Sequence, residues 1–284
     1  MTPGDGDRRG DGPGDAHAPG DGRRHSDEPL ERPERPRVVL AHGFTQSGAS
    51  WRPVAAALSK DYEVVAPDLP GHGASPPATG DLSTAARQLA DACGRATYVG
   101  YSMGGRICLH LALFVPQLVE RLVLVSATAG IEDVDEREAR RAADEQLAER
   151  IEEGGNEGVA GFIEEWLAGP LFADLDAKAA DRSSRLSNTA TGLAGSLRHH
   201  GTGSQEPLWE QLGALEMPVL VVAGGRDAKF VDLGDRLAAA IGPNARFVAV
   251  EGAGHAVCFE QPERFALLLE AFLEAPAARS GRER

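Results

Sequence analysis

Hydrophobic residues are concentrated in six short runs along the chain, separated by longer amphipathic segments. The runs lie at 37–44, 62–69, 96–102, 121–127, 218–225 and 245–252. They are continuous rather than alternating, which is typical of strands that are covered on both faces. Segments with helical periodicity lie between them, at about 50–59, 82–93, 103–115, 230–241 and 262–274. This alternation predicts an α/β fold with a doubly wound, mostly parallel sheet.

One interval departs from the alternation of strand and helix. Residues 131–213 contain no strand-like run, only helical periodicity interrupted by GGNEGVAG and GTGSQEP. A helical insertion between two core strands indicates a cap that covers a site at the edge of the sheet. We therefore expect a core formed by residues 37–130 and 214–275, with an all-helical cap at 131–213.

The two ends of the chain differ in composition from the rest. Residues 1–36 contain near-repeats such as GDGDRRGDGPGD and very few hydrophobic side chains. Such a segment cannot bury enough surface to offset the entropy lost on ordering, which predicts a disordered tail at 1–36. A frayed tail is expected at 276–284. The sequence shows neither a signal-peptide hydrophobic region nor a run of membrane-spanning length, so we expect a cytoplasmic protein without membrane insertion.

Charge and cysteine content narrow the possible partners. The formal net charge is −14, which argues against nucleic-acid partners and requires local arginines for any anionic ligand. The three cysteines are odd in number and form no C-x-x-C pair, so reduced thiols are expected rather than a disulfide framework or a zinc site. No metal or organic cofactor is indicated, and the oligomeric state is left open.

The stretch VGYSMGGR carries the first chemical signal. Ser102 lies between Gly100 and Gly104 in a G-x-S-x-G motif, after a strand-like run and before a helix-like one. This context is that of a nucleophile elbow, whose acid and histidine partners follow later in the chain. Asp227 and His255 each come directly after a predicted strand. Because the carboxyl ends of parallel strands meet at one edge, the sequence predicts a Ser102–His255–Asp227 triad there.

The segment AHGF after the first strand predicts the second part of the site. In this arrangement one oxyanion-hole amide belongs to the residue after the nucleophile, here Met103. The other belongs to the loop after the first core strand, here Phe44. The alternative for this loop is a plain tight turn.

Arg106 is unexpected in an otherwise apolar helix. It follows Ser102 by one helical turn and lies on the same helix face, close to the predicted site. A buried guanidinium is costly unless it is paired. Arg106 therefore either forms an ion pair with a nearby acid or contacts an anion and supports the elbow.

A second arginine is predicted to point inward from the first cap helix. Arg140 lies seven residues before Leu147, on the same side of the helix. The apolar stripe on that side comprises Ala143, Leu147 and Ile151. Arg141 instead falls on the charged face with Asp144 and Glu145. An inward Arg140 would hold a ligand carboxylate or form a buried structural ion pair.

Residues 37–274 resemble the α/β-hydrolase fold. Within this fold, several segments together resemble one family, the 2-succinyl-6-hydroxy-2,4-cyclohexadiene-1-carboxylate synthases (SHCHC synthases, MenH) of menaquinone biosynthesis. These segments are HGFTQSGASW, DLPGHGAS, VGYSMGGR, FIEEWLAGPLFADL, RLSNTATGLAGSLRHHGTGSQEPLW, GGRDAKF and GAGH. The resemblance implies a lyase that eliminates pyruvate from a substrate with three carboxylates, 2-succinyl-5-enolpyruvyl-6-hydroxy-3-cyclohexene-1-carboxylate. It implies a small polycarboxylate as partner.

The resemblance also implies further substrate contacts. Arg185 lies where the family has an arginine, and Trp166 and Tyr101 match positions thought to line the pocket. For the two aromatics the alternative is an ordinary place in the core. Cys258 stands where the family often has a second histidine, three residues after His255.

Two other functions are alternatives to the lyase. A carboxylesterase, lactonase or C–C bond hydrolase would form an acyl intermediate on Ser102, with only the cap differing. A non-catalytic binding module would leave the triad unexplained. Several arginines around one pocket favour the lyase, because neutral esters have no use for them.

Overall fold

The computed structural model describes residues 35–172 and 175–276. The predicted disordered tail and frayed end therefore lie, apart from residues 35, 36 and 276, outside the described residues. Within the described part, each of the six apolar runs overlaps one strand. The strands are β1 (Arg37–Ala41), β2 (Glu63–Val65), β3 (Ala96–Tyr101), β4 (Val119–Val125), β5 (Val219–Gly224) and β6 (Ala245–Val250).

All strand pairs in the described sheet are parallel, in the order β2-β1-β3-β4-β5-β6. The helices are α1 (Arg52–Leu58), α2 (Leu82–Cys93), α3 (Met103–Phe114), α4 (Val134–Leu167), α5 (Ala177–Ala180), α6 (Arg182–Arg185), α7 (Ala190–His200), α8 (Ala228–Ile241), α9 (Val257–Glu260) and α10 (Pro262–Glu274). The prediction of a doubly wound α/β sheet is confirmed.

Side chains of each strand alternate between two apolar layers. In β1, Val39 and Ala41 join the layer formed with α2, α3 and α8. Val38 and Leu40 join the opposite layer, formed with α1, α9 and α10. Helices on both faces explain why the strand sequences are continuously apolar.

The segment between β4 and β5 is helical in its described residues, comprising α4 to α7 and short 3-10 turns. It has an apolar cluster of its own between α4 and α7, which includes Ile151, Phe162 and Leu193. No helix in the described part of the chain combines the length and apolar character needed to cross a bilayer.

Helix α4 is two helices joined at a break. Gly155 has φ 59° and ψ −170°, outside the helical region, and a positive φ of this kind favours glycine. Gly154, Gly158 and Gly161 have no atom within 4 Å of a Cβ built on them. Packing therefore does not explain Gly154, Gly158 and Gly161, and the two halves of α4 meet at Gly155.

The buried stripe of α4 begins one residue later than predicted. Ala143 is exposed, while Asp144, Ala148 and Ile151 are buried. The prediction that Asp144 lies on the charged outer face was therefore wrong. The cause is the partner of the helix: α4 packs on α7 and the turn after it, where Asp144 accepts hydrogen bonds that an apolar side chain could not accept.

Buried histidines make the fold sensitive to acid. Burial is the main cause that lowers the pKa of His42, His110 and His200 to about 4, against roughly 6.5 in an unfolded chain. The unfolded state therefore binds more protons between these pH values, so stability is complete above pH 6.5 and falls as the pH drops through this window. At pH 5 each histidine should cost about 2 kcal/mol of unfolding free energy.

Urea denaturation at about pH 7.5 and about pH 5 measures this loss. The His110→Gln variant should lose less stability than wild type over the same interval, because one titrating group is removed. Equal unfolding free energies at the two pH values would contradict the assignment.

Candidate active site

Ser102 lies on a sharp turn between β3 and α3. Its φ of 51° and ψ of −110° are strained for a non-glycine residue. A Cβ on Gly100 would lie 2.4 Å from the Gly104 carbonyl oxygen, and one on Gly104 would lie 2.3 Å from the Ala41 carbonyl oxygen. Glycine is thus required on both sides of Ser102, which explains the motif.

The structure brings the three predicted triad residues together. His255 Nδ1 lies 2.8 Å from Asp227 Oδ2, and His255 Nε2 lies 3.4 Å from Ser102 Oγ. With Nδ1 donating its proton to Asp227, Nε2 is left as the acceptor for the Ser102 hydroxyl proton. The geometry is that of a nucleophile, a base and a residue that orients the base.

His255 is held from several sides. Ser126 Oγ donates to the His255 carbonyl oxygen at 2.8 Å. The rings of Phe230 and Tyr101 lie 4.5 and 5.5 Å from the imidazole. Sequence reasoning did not predict a role for Ser126, although this residue directly follows β4 at the same sheet edge as Ser102.

The two residues predicted to supply oxyanion-hole amides, Phe44 and Met103, line the same cavity as Ser102. Met103 begins α3, where the first N–H groups have no intrahelical acceptor. Phe44 follows β1, and its ring packs on Trp166 with centroids 5.2 Å apart. Among the described residues, no hydrogen bond from either amide is found. Both amides remain available to an oxygen atom near Ser102.

A cavity of about 510 Å³ opens above Ser102. Its wall includes most of the predicted site residues, namely Phe44, Ser102, Met103, Arg106, Arg140, Trp166 and His255. These residues come from the core and from both halves of α4. The cavity therefore lies between the triad and the helical segment 134–200.

Arg106 is buried in the wall of this cavity without an ion-pair partner in the described part of the chain. The residue is 7% exposed, and its Nη1 atom is buried with no hydrogen-bond acceptor. Burial, and next the charge of Arg140, lower the pKa of Arg106 to about 10, against the opposing effect of Asp144. The guanidinium remains charged at neutral pH, so it requires an anion from elsewhere.

Arg140 lines the cavity but is less deeply buried than predicted. Its side chain is 43% exposed, and its Nε donates to Asp144 Oδ1 at 2.9 Å. Asp144 also accepts from the Gly203 amide. Asp144 therefore anchors the guanidinium by one edge, and the rest of the group is free to contact a ligand.

Two predicted contact residues do not line the cavity. Tyr101 is 2% exposed and packs on His255 and Phe259 below the triad, because strand alternation turns it to the same face as Val99. Arg185 is 1% exposed and bonds to Ala180 and Thr45. The expectation that these side chains contact the substrate from the cavity wall is corrected accordingly.

Cys258 lies fully buried in the layer that covers the sheet with α10. It does not line the cavity. The residue three positions after His255 therefore contributes no side chain to the cavity.

The opposite wall of the cavity was missed by sequence reasoning. It contains Lys229 and Arg236 from α8, together with Glu132 and Trp209. Arg236 pairs with Glu132 and lies 3.8 Å from the Trp209 ring centroid. The sequence feature that could have predicted these α8 residues at the site is that α8 begins directly after Asp227. Within residues 35–172 and 175–276, no group of three or more His, Cys, Asp or Glu side chains could hold a metal ion.

Comparison with known proteins identifies relatives of this chain. The chain is 35% identical over 250 residues to a Bacillus subtilis (strain 168) protein provisionally named 2-succinyl-6-hydroxy-2,4-cyclohexadiene-1-carboxylate synthase, covering 83% of this chain and 89% of the relative. It is 31% identical over 258 residues to the Yersinia pseudotuberculosis (serotype O:3, strain YPIII) protein of that name, covering 88% and 91%.

The structure is also similar to MenH from S. aureus, with a TM-score of 0.78 and 27% identity over 86% of this chain and 95% of the other. The sequence matches the alpha/beta hydrolase fold family over residues 36–262. The chain therefore belongs to the α/β-hydrolase family, in which it resembles the SHCHC synthases.

Proposed function

We propose that this protein is a lyase of menaquinone biosynthesis. It eliminates pyruvate from 2-succinyl-5-enolpyruvyl-6-hydroxy-3-cyclohexene-1-carboxylate and gives 2-succinyl-6-hydroxy-2,4-cyclohexadiene-1-carboxylate. The names of the relatives support this reaction. The observation that carries it is Arg106, a buried, unpaired guanidinium one helical turn from Ser102.

The arginines suit a substrate with three carboxylates. Arg106 binds one carboxylate in the depth of the cavity, where a charge-assisted contact is least screened. Arg140, anchored by Asp144, binds a second carboxylate nearer to the opening. A neutral ester would leave the Arg106 charge buried and unpaired.

The triad supplies the base for this elimination. His255 Nε2 takes the Ser102 proton, and Ser102 Oγ removes the proton from ring carbon 2, which is α to the succinyl ketone. The electron pair forms the 2,3 double bond, the 3,4 double bond moves to 4,5, and the bond between carbon 5 and the enolpyruvyl oxygen breaks. The enolpyruvate leaves and takes a proton at carbon to become pyruvate.

The oxyanion hole makes this proton acidic enough to remove. Negative charge that develops on the succinyl carbonyl oxygen is stabilised by the Phe44 and Met103 amides. Ser102 is a weak base at its ordinary pKa, so its activation depends on His255 and on the exclusion of water from the cavity.

The decisive experiment supplies the enolpyruvyl substrate and a p-nitrophenyl ester to parallel samples of the protein. We expect rapid pyruvate release, with no covalent enzyme adduct in the intact mass spectrum during turnover. Fast ester turnover without pyruvate release would instead establish an acyl-Ser102 hydrolase, the alternative that uses the same triad.

Arg140 and Arg141 form a matched pair for testing the substrate contact. Arg140→Ala should raise KM by about 10- to 30-fold, since a partly exposed guanidinium–carboxylate contact is worth about 1.5–2 kcal/mol. Arg141→Ala removes an exposed side chain of the same helix and should leave KM within about twofold. Steady-state pyruvate release measures both. Equal effects would show that α4 does not present Arg140 to the ligand.

A further inference from the structure

Thr45, which directly follows the oxyanion-hole residue Phe44, is held in a strained conformation. Its φ is 69°, a value that a β-branched residue rarely adopts and that costs about 1–3 kcal/mol. Thr45 is fully buried. Surrounding contacts must therefore fix this peptide, and they decide where the neighbouring Phe44 amide points.

Every polar atom of Thr45 has a partner. Its amide donates to His72 Nε2 at 3.2 Å, its carbonyl oxygen accepts from Asn188 Nδ2 at 2.6 Å, and its hydroxyl oxygen accepts from Arg185 Nη1. His72 belongs to the loop after β2, whereas Asn188 and Arg185 belong to the helical segment between β4 and β5. The oxyanion loop is thus clamped from the core and from the cap.

The contacts of Arg185 fix its side chain inside the protein rather than present it to a ligand. It is 1% exposed, its Nε donates to the Ala180 carbonyl oxygen at 2.7 Å, and its guanidinium carbon lies 5.8 Å from the Phe172 ring centroid. These contacts fix the guanidinium before any substrate arrives. Its Nη1 donates to the hydroxyl oxygen of Thr45 in the oxyanion loop.

The same cap segment makes further contacts with this loop. Ser184 Oγ lies 2.5 Å from Ser47 Oγ, and Asp181 Oδ2 accepts from Ser50 Oγ at 2.9 Å. Asn188 Oδ1 also accepts from the Gly73 amide at 2.9 Å. One short stretch of the cap, 181–188, therefore ties together two loops at the carboxyl edge of the sheet.

We propose that Arg185 is a positioning residue that fixes the Phe44 amide of the oxyanion hole through Thr45. The proposal rests on the proposed function only for the presence of an oxyanion hole, which an elimination and an ester hydrolysis would share. It separates Arg185 from Arg106 and Arg140, which bind the substrate directly.

The test compares Arg185→Met, Thr45→Val and the double variant. Each single variant should lower kcat for pyruvate release about 10-fold with KM within about twofold, because a displaced amide costs less than the roughly 10²-fold loss of a donor. The double variant should lose no more than the worse single variant, since both break one contact. Arg185→Lys, which keeps a donor, should recover part of kcat. Arg182→Met, on the same short helix and paired outward with Glu164, is the matched control.

A second readout does not depend on the lyase reaction. Diisopropyl fluorophosphate carries no carboxylate and modifies active-site serines: Ser102 Oγ bonds to phosphorus, fluoride leaves, and His255 takes the proton. The phosphoryl oxygen occupies the oxyanion hole, so both single variants should slow this modification by the same roughly 10-fold factor. Arg182→Met should not slow it. Should Arg185→Met fail to fold in thermal melting, Thr45→Val carries the test alone.

The outcomes separate the two proposals. A raised KM for Arg185→Met with unchanged modification rates would make Arg185 a substrate ligand and overturn the positioning role, as would a normal Thr45→Val variant. Normal modification of wild type without pyruvate release would remove the lyase function and leave the positioning role intact. A wild-type protein that resists modification would overturn the oxyanion hole and the positioning role together.

Discussion

Replacement of Ser102 by alanine is expected to lower kcat for pyruvate release by about 10³- to 10⁴-fold, with KM within about threefold. In the proposed reaction the hydroxyl of Ser102, which lines the cavity, removes the ring proton. In the proposed function Arg106 and Arg140 bind the carboxylates of the substrate, so binding should survive the loss of the hydroxyl. Steady-state pyruvate release, with binding of the substrate to Ser102→Ala measured by calorimetry, checks both parts.

Two further variants show whether Ser102 acts as part of a unit. His255→Ala should lose about as much activity as Ser102→Ala, and the double variant should lose no more, because residues of one catalytic unit are not additive. Ser204→Ala is a matched control: its hydroxyl donates to the Arg198 carbonyl oxygen, within the cap. A Ser102→Ala enzyme that keeps a tenth of wild-type kcat would rule out Ser102 as the base.

Replacement of Arg106 by methionine is expected to have opposite effects on function and stability. The specificity constant kcat/KM should fall by about 30- to 1000-fold, since the loss of one partner from a buried charge pair costs about 2–4 kcal/mol. The ligand-free protein should become more stable, because the variant removes a charge that is buried without a partner in the described structure. Pyruvate release and thermal melting, on the same preparations, measure the two effects.

Arg198→Met is the control for this pair of measurements. Arg198 lies on α7 and pairs with Glu145 and Glu152, so its loss should not stabilise the protein or lower kcat/KM. Arg106→Lys should recover part of the activity, because a lysine keeps the charge and loses the bidentate geometry. A destabilised Arg106→Met protein with normal kcat/KM would show that the guanidinium supports the elbow and binds no anion.

The core of the fold could be predicted because its signals are local. Continuous apolar runs mark strands buried on both faces, and each of the six runs overlaps a strand. Ser102 was predicted from its G-x-S-x-G motif, and Asp227 and His255 from their positions shortly after parallel strands. Parallel strands end at one edge, so residues 153 apart in sequence meet there.

The orientation of side chains in the cap could not be predicted in this way. The periodicity of α4 predicts that Asp144 is a surface residue. The packing of α4 on α7 instead buries it, and Asp144 becomes the partner of Arg140. From the sequence, Arg185 is interpreted as a ligand contact. In the structure its acceptor is Thr45 of the oxyanion loop, 140 residues earlier in the chain. The orientations of these two side chains depend on contacts between segments that are distant in sequence. The hydrophobic periodicity of a single helix carries no information about such contacts.

The break at Gly155 separates two residues through which α4 lines the cavity, Arg140 and Trp166. Arg140 lies in the half of α4 before the break, and Trp166 lies in the half after it. In an unbroken helix, a rotation at one end would turn every side chain along its length. Here the helical geometry is interrupted between Arg140 and Trp166, so we expect a substitution at one of these positions to leave the orientation of the other unchanged.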